Sequence, residues 1–426
     1  MSAHTIKNSS AFAALFILIY LWAGFLPLAG IMIALFLYLI VSRPLILATL
    51  KAAGIPFLFA VFLIALVSTL TSNAFPFSAW NVAKDGYFFI APVLLLVTGL
   101  TFLKSQADVT SVFRTAIYVL TLTSIIIYSD FLFGGGITNV SIQSRYTYAL
   151  ESGTSTLALL LILSLHPTLS SLHRDNKATS LLVFNLLLII VSLSRINIAI
   201  SLISLIFIYS HSKWAPRLSI AVVLLLTVSP LFQIMPSLKM REASSQASFF
   251  DKVLGSFAEF RLSNYSSMPD INENWRGYEA YLGTQVVEQA EPIARLIGVG
   301  YGSYAVSPFD HKLQIIPFFH NGFVTIYLKA GFLGLIAFAL FIFKLYRLAG
   351  AANREGRRTG NPTIKKAAVT IVLMTNAILF QTLATHGVYY SKTTLGLFFI
   401  GLAIYSLQFA RRDLVANGRS DVRSGT

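Results

Sequence analysis

Residues 320–343 read HNGFVTIYLKAGFLGLIAFALFIF, an apolar run interrupted by one charge, Lys329. As a helix rising 1.5 Å per residue, this run is about 36 Å long, enough to cross a hydrocarbon core of about 30 Å. The stretch therefore predicts a membrane-spanning helix opened by a polar pair, His320–Asn321, and carrying two glycines, Gly331 and Gly334. The rest of the chain agrees. Only 12% of its 426 residues are charged and the mean hydropathy is +0.72, where soluble domains carry about 25% charged residues.

Similar runs recur along the sequence. Expected spans lie at about 11–25, 28–42, 55–72, 86–104, 112–133, 153–168, 179–194, 195–211, 216–235, 320–343, 364–386 and 393–410. Residues 11–42 and 179–211 are each too long for one crossing, so they are split at Gly24–Pro27 and at SLSRIN. The fold expected is all-α: a polytopic membrane bundle of about twelve transmembrane helices. The first run has no clear cleavage site and reads as a retained span.

The formal charge of +15 does not imply nucleic acid. The Lys and Arg residues gather in short segments between apolar runs, above all KLYRLAGAANREGRRTGNPTIKK (344–366) and RRDLVANGRSDVR (411–423). The positive-inside rule assigns such segments, and both termini, to the cytoplasm. The chain has no cysteine, which removes disulfides and thiolate chemistry. Three regions follow: 1–235 with nine spans, a large outer loop 236–319, and 320–426 with three spans and a basic tail. The loop holds Glu242, Asp251, Glu259, Asp270, Glu273, Glu279, Glu288, Glu291 and Asp310, much of the chain's acidity. A loop this long in a compact architecture is usually functional. Trp275, Tyr278, Leu282 and Val286 recur within it at helical spacing.

On an unbroken helix begun at His320, Tyr327, Gly331 and Gly334 share its stripe, while Lys329 faces the other way. The glycines then let a neighbouring backbone approach, and the histidine sits at the outer end; the plainer reading is that His320 and Asn321 cap the helix. Lys329 requires a partner, a wet cavity or a route to the surface. Arg195 in SLSRIN is suited to phosphate oxygens or to snorkelling. Arg276, beside Trp275, suits an anion, a stacked ring or an i+3 ion pair with Glu279. Arg145 precedes Tyr146 and Tyr148, which fit a sugar platform or an interfacial belt. GVGYGSY (298–304) lacks the strand and lysine of a nucleotide loop and reads as a tight turn leading back towards His320.

Taken in order and spacing, SLSRIN (192–197), NWRGYEAY (274–281), IGVGYGSY (297–304) and HNGFVTIYLKAGFLG (320–334) resemble the O-antigen ligase and polymerase superfamily. The last stretch matches its H-[N/S/Q]-x9-G-x-x-G motif through His320, Asn321, Gly331 and Gly334. The likeness covers roughly residues 180–400. It implies a glycosyltransferase of the bacterial inner membrane working at the periplasmic face. The donor would be a glycan on undecaprenyl diphosphate and the acceptor a sugar hydroxyl, on a lipid-linked glycan or on lipid A-core. By position, His320 would activate the acceptor, and Arg276 and Arg195 would hold the diphosphate. Asn321, Trp275, Arg145 and Tyr146 are candidate substrate contacts. No metal or other cofactor is implied, and a chain-length regulator is a candidate partner.

NVAKDGYFFIAPVLLLVTG (81–99) resembles segments of exopolysaccharide polymerases, which favours polymerase over ligase. The competing class is a transporter or flippase of lipid-linked oligosaccharide. Against it, the sequence shows no Asp or Glu deep within an expected span, where proton-coupled carriers place ionisable groups. A scaffold is the third reading.

Overall fold

The computed structural model describes residues 3–22, 47–71, 78–102, 106–133, 153–191, 194–210, 275–307, 314–316, 319–384 and 392–423, with isolated positions between 30 and 37 and at 271. These residues are almost wholly helical. In chain order the helices are α1 (Ala3–Trp22), α2 (Leu47–Ala52), α3 (Ile55–Thr71), α4 (Ala79–Thr101), α5 (Gln106–Phe133), α6 (Gly153–Leu165), α7 (Leu169–His173), α8 (Asn176–Val191) and α9 (Arg195–Ser210). Then come α10 (Trp275–Gln289), α11 (Ala294–Ile297), the strands β1 (Ala305–Ser307) and β2 (Gln314–Ile316), α12 (Gly322–Thr359), α13 (Pro362–Ala384) and α14 (Gly396–Arg423).

Four helical stretches are long and apolar enough to cross a membrane: Ala79–Thr101, Val109–Ser129, Gly322–Thr359 and Pro362–Leu383. Shorter apolar helices accompany them at Ser9–Trp22, Ile55–Thr71, Gly153–Leu165, Asn176–Ile190 and Ile196–Ile208. Every span expected from the sequence meets a described helix except 216–235, which lies outside the described residues, and 28–42, of which only scattered positions are described. Several helices begin or end elsewhere than hydropathy suggests. α4 starts at Ala79, so Lys84 and Asp85 belong to it. α12 runs on to Thr359, far past residue 343, because hydropathy marks where a span stops being apolar, not where its backbone stops being helical.

Side-chain contacts fix the direction of each helix. α12 and α13 form an antiparallel hairpin turned at Gly360, which is left-handed (φ 68°), and Asn361, whose Oδ1 accepts from the Thr363 and Ile364 amides. α13 therefore ends where α12 begins. At that end, Asn197 in the first turn of α9 meets Gln381 near the end of α13, and Ser68 and Thr69 in the last turn of α3 meet the 298–301 turn. At the opposite end Arg411 of α14 pairs with Glu355 of α12, near Arg354, Arg357, Arg358 and Arg412. The bundle thus has a basic end and an end that carries His320.

Within the bundle, buried hydroxyls turn back on their own helices. Thr101, Ser124, Ser164, Thr375 and Thr382 each donate to the carbonyl four residues earlier, as a side chain must where no water reaches it. α4 and α14 cross at glycine: a Cβ on Gly99 would lie 2.1 Å from the Phe398 carbonyl oxygen, and one on Gly401 2.4 Å from that of Leu96.

α12 is not one continuous helix. Gly331 takes φ 61° and ψ −160°, a conformation other residues avoid, and breaks the helix there. This corrects the expectation of a single stripe from His320 to Gly334, which assumed unbroken periodicity. The close approach expected of the glycine is present, with the end of α11 as the neighbour. A Cβ on Gly331 would lie 2.4 Å from the Gly298 nitrogen and the Leu296 carbonyl carbon. The Val299 amide donates to the Leu328 carbonyl at 2.7 Å, satisfying an acceptor beside the break. Gly331→Ala is expected to cost about 2 kcal/mol or more, read as a lower unfolding midpoint of the purified protein; an unchanged midpoint would contradict this docking.

Candidate functional site

α10, α11 and the two strands pack onto the first half of α12. α10 forms where Trp275, Tyr278, Leu282 and Val286 predict a helix. Val287, Ala294, Val299, Ala305, Ile316, Phe319 and Leu328 make a small buried core. β1 and β2 pair antiparallel, Ala305 opposite Ile316 and Ser307 opposite Gln314. Tyr278 ties α10 to this hairpin through a 3.0 Å hydroxyl contact with Ser307, and burial raises its phenol above the usual range. α10 is thereby held rigidly against the start of α12.

His320 stands just before α12. Its backbone amide donates to Glu279 Oε2 at 2.9 Å, and its Nδ1 lies 2.7 Å from the same oxygen. The Glu279 side chain is 5% exposed and that of His320 25%. A buried carboxylate thus grips both the main chain and the ring of one histidine, fixing the ring's orientation. With Nδ1 as the donor, the arrangement also fixes the tautomer, so proton exchange with a reactant falls to Nε2. Glu279 is 41 residues from His320 in sequence. The sequence reading offered it only as a neighbour for Arg276; the available signal was an acidic residue on a loop helix one turn from an arginine.

Arg276 is half-buried on α10, three residues before Glu279, so the two lie on adjoining turns of one face, separated by about 4.5 Å along the axis. Trp275 opens α10 and leans on Tyr278 with ring centroids 5.7 Å apart. Asn321 is the N-cap of α12: its Oδ1 accepts from the Phe323 and Val324 amides at 3.0 and 3.3 Å. The capping role foreseen for Asn321 is present, and it engages the side-chain oxygen that a substrate would otherwise meet. Tyr327 donates to Glu288, which also pairs with Arg295 at 2.7 Å.

Arg195 is the first residue of α9. Two residues on, Asn197 Oδ1 accepts from Gln381 Nε2 at 3.1 Å, which sets the start of α9 at the His320 end. The backbone of Arg195 therefore shares an end of the bundle with His320 and Arg276; its side chain is outside the described residues. Arg145 and Tyr146 also lie outside them.

The partner of Lys329 is Asp85. Lys329 Nζ lies 2.7 Å from Asp85 Oδ2 and also donates to the Ser303 carbonyl. The same carboxylate oxygen accepts from the Gly302 amide at 2.7 Å. Both side chains are sealed, at 0% and 2% exposure. This corrects the expectation that no carboxylate lies inside an apolar helix. The span expected at 86–104 begins in fact at Ala79, which takes Asp85 into the helix. GVGYGSY is indeed a compact turn: Gly298, Gly300 and Gly302 have φ of 82°, 93° and 79°. Ser68 donates to the Gly298 carbonyl at 2.6 Å, the Tyr301 amide to Thr69, and the Tyr301 hydroxyl to the Phe62 carbonyl. α3, α4 and α12 are joined through this turn, two helical turns below the histidine.

The arrangement offers a proton acceptor oriented by a carboxylate, a neighbouring guanidinium and a polar cap, on a rigid platform. Among the described residues no three His, Asp or Glu side chains gather as metal ligands. Comparison with known proteins finds no family model that matches the chain and no characterised protein that matches it.

Proposed function

We propose that the chain is a membrane glycosyltransferase that transfers a glycan from undecaprenyl diphosphate to a sugar hydroxyl at the periplasmic face. The observation that carries this reading is His320, gripped by buried Glu279 beside Arg276 at the end of the bundle where α9 begins with Arg195. The opposite end bears Arg347, Arg354, Arg357, Arg358, Arg411 and Arg412, which supports a cytoplasmic assignment for it and an extracytoplasmic one for the site. The full twelve-span topology, with both termini in the cytoplasm of the bacterial inner membrane, belongs to the same proposal.

In the reaction, His320 Nε2 takes the acceptor hydroxyl's proton as its oxygen attacks the anomeric carbon. The new C–O bond forms as the bond to the lipid diphosphate breaks, and the electron pair leaves on the diphosphate oxygen. Arg276 and Arg195 neutralise that oxygen in a partly dry cleft. Glu279 stabilises the imidazolium, which afterwards returns its proton to solvent or product. A single displacement inverts the anomeric centre. Polymerisation of repeat units is the leading version; ligation of finished polymer to lipid A-core uses the same site with another acceptor. A deletion separates them, since loss of a polymerase leaves one repeat on the acceptor whereas loss of a ligase leaves it bare.

A transporter can no longer be set aside for want of a buried carboxylate. Asp85 is, however, paired with Lys329 and the Gly302 amide in a closed site, unlike an ion-coupling residue that must meet water. The deciding experiment mixes the purified protein with lipid-linked oligosaccharide and acceptor. A new, inverted glycosidic bond is expected, with Arg276→Ala and Arg195→Ala each slowing it by about 10²-fold or more. Passage of the lipid-linked sugar across vesicles with no bond formed would replace this reading by transport, and intact polysaccharide output from His320→Ala by a scaffold.

A further inference from the structure

At the basic end of the bundle, α5, α6 and α8 enclose a cavity of about 240 Å³. Ile117, Ile162 and Leu181 form its apolar wall, and Arg114, His166, Asp175 and Lys177 its polar one. A second cavity, of about 80 Å³, shares Leu165 with it and is lined by Lys366 of α13. Arg114 and Lys177 line the larger cavity and Lys366 the smaller one beside it, so three basic side chains border two adjoining spaces. Among the described residues none of these cations has a carboxylate within ion-pair distance.

Asp175 is the only acidic group in the lining, and one of its oxygens is engaged. Oδ1 accepts from the Ala178 amide at 3.1 Å, capping α8, and Oδ2 lies 3.7 Å from His166 Nε2. Without His166 the larger cavity carries two positive charges, Arg114 and Lys177, against the one negative charge of Asp175, with Lys366 adding a third basic group from the adjoining space.

The cavity is continuous with a lipid-like wall. Tyr118 lines it and is 56% exposed. One and two turns further along α5 stand the exposed Leu122 and Ile125, and the facing helix α8 exposes Val183 and Leu187. A phosphate bound among the cations would leave attached acyl chains lying against these residues. Basic pockets between membrane helices on the cytoplasmic side take lipid phosphates in this manner.

We propose that this cavity binds the phosphate headgroup of an anionic phospholipid from the leaflet at the basic end of the bundle. The site requires only that the bundle sit in a bilayer and is independent of the glycosyl-transfer reading. The test uses the full chain in phosphatidylcholine vesicles with and without phosphatidylglycerol. Phosphatidylglycerol is expected to stay bound through delipidation, seen by native mass spectrometry, and to raise the unfolding midpoint by several degrees. In the double variant Arg114→Gln, Lys177→Gln, retention should fall at least tenfold while the midpoint in pure phosphatidylcholine stays at the wild-type value. Both replaced side chains are exposed. Arg114→Lys should retain most binding. Photoactivatable phosphatidylglycerol should label wild-type peptides containing Tyr118, a readout that needs no variant. Labelling confined to other helices, equal retention of phosphatidylcholine, or unchanged retention in the double variant would overturn the proposal. A midpoint rise given by inorganic phosphate alone would overturn it too, identifying a solute anion as the ligand.

Discussion

His320→Ala is expected to slow glycosyl transfer by about 10²- to 10⁴-fold, the usual contribution of a positioned general base, with little change in the unfolding midpoint. The ring is partly exposed and fills no core, so its removal leaves no large cavity. Glu279 separates this chemistry from simple packing. Its Oε2 holds the ring at 2.7 Å and the His320 amide at 2.9 Å. Glu279→Gln keeps an oxygen for those donors but loses the negative charge that steadies an imidazolium. It should lower kcat by about 10-fold or more while leaving KM for the lipid-linked donor close to wild type, since a group acting in the transition state alone moves kcat. Glu279→Asp should recover only part of the rate, because the shorter stem withdraws the carboxylate from the ring. A Glu279→Gln enzyme of full activity would remove the proposed division of labour between carboxylate and histidine. A change confined to KM would make Glu279 a binding element instead.

Lys329→Met should be strongly destabilising. It leaves the Asp85 carboxylate buried with only the Gly302 amide to answer its charge, and breaking a buried pair in this way costs about 3–5 kcal/mol. Replacing both members, Asp85→Leu with Lys329→Met, should restore much of the loss, because two desolvated charges disappear together. The measurement is the unfolding midpoint in detergent alongside the amount of folded protein in membranes. A single variant as stable as wild type, or a double variant less stable than either single one, would contradict the pairing. The double variant should also blunt activity, since Lys329 and Ser303 join α12 to the turn beneath the site.

The all-α character and the four long apolar helices were legible because hydropathy is a local signal. α10 was legible for a similar reason: four apolar residues at helical spacing outline it in an otherwise polar loop. What escaped is long-range. Glu279 and His320 are 41 residues apart, and Asp85 and Lys329 are 244 apart. No periodicity links such pairs; only the packing of α10 and α4 on α12 does. Lys329 did announce that a partner existed, since a lone ammonium within an apolar helix is too costly, but the candidate was hidden by assigning Asp85 to a loop. The break at Gly331 was misread for the opposite reason. Helical periodicity was extended through a glycine that marks where the backbone leaves the helix. Arg195 and Arg276 were singled out from their neighbours, and the structure sets the start of α9 and the face of α10 at the end of the bundle where His320 stands.

The ion pair below the site also constrains how the polypeptide can be made. α4 enters the bilayer with Asp85 long before the ribosome has synthesised α12 and its lysine, and the turn that supplies the Gly302 amide also emerges late. During that interval the carboxylate lacks both the ammonium and the amide that bond it in the folded bundle. A nascent fragment that stops short of residue 329 therefore carries an unpaired acidic side chain that the complete molecule pairs and buries. Biogenesis of the N-terminal helices is in this sense provisional, and the last third of translation ratifies it.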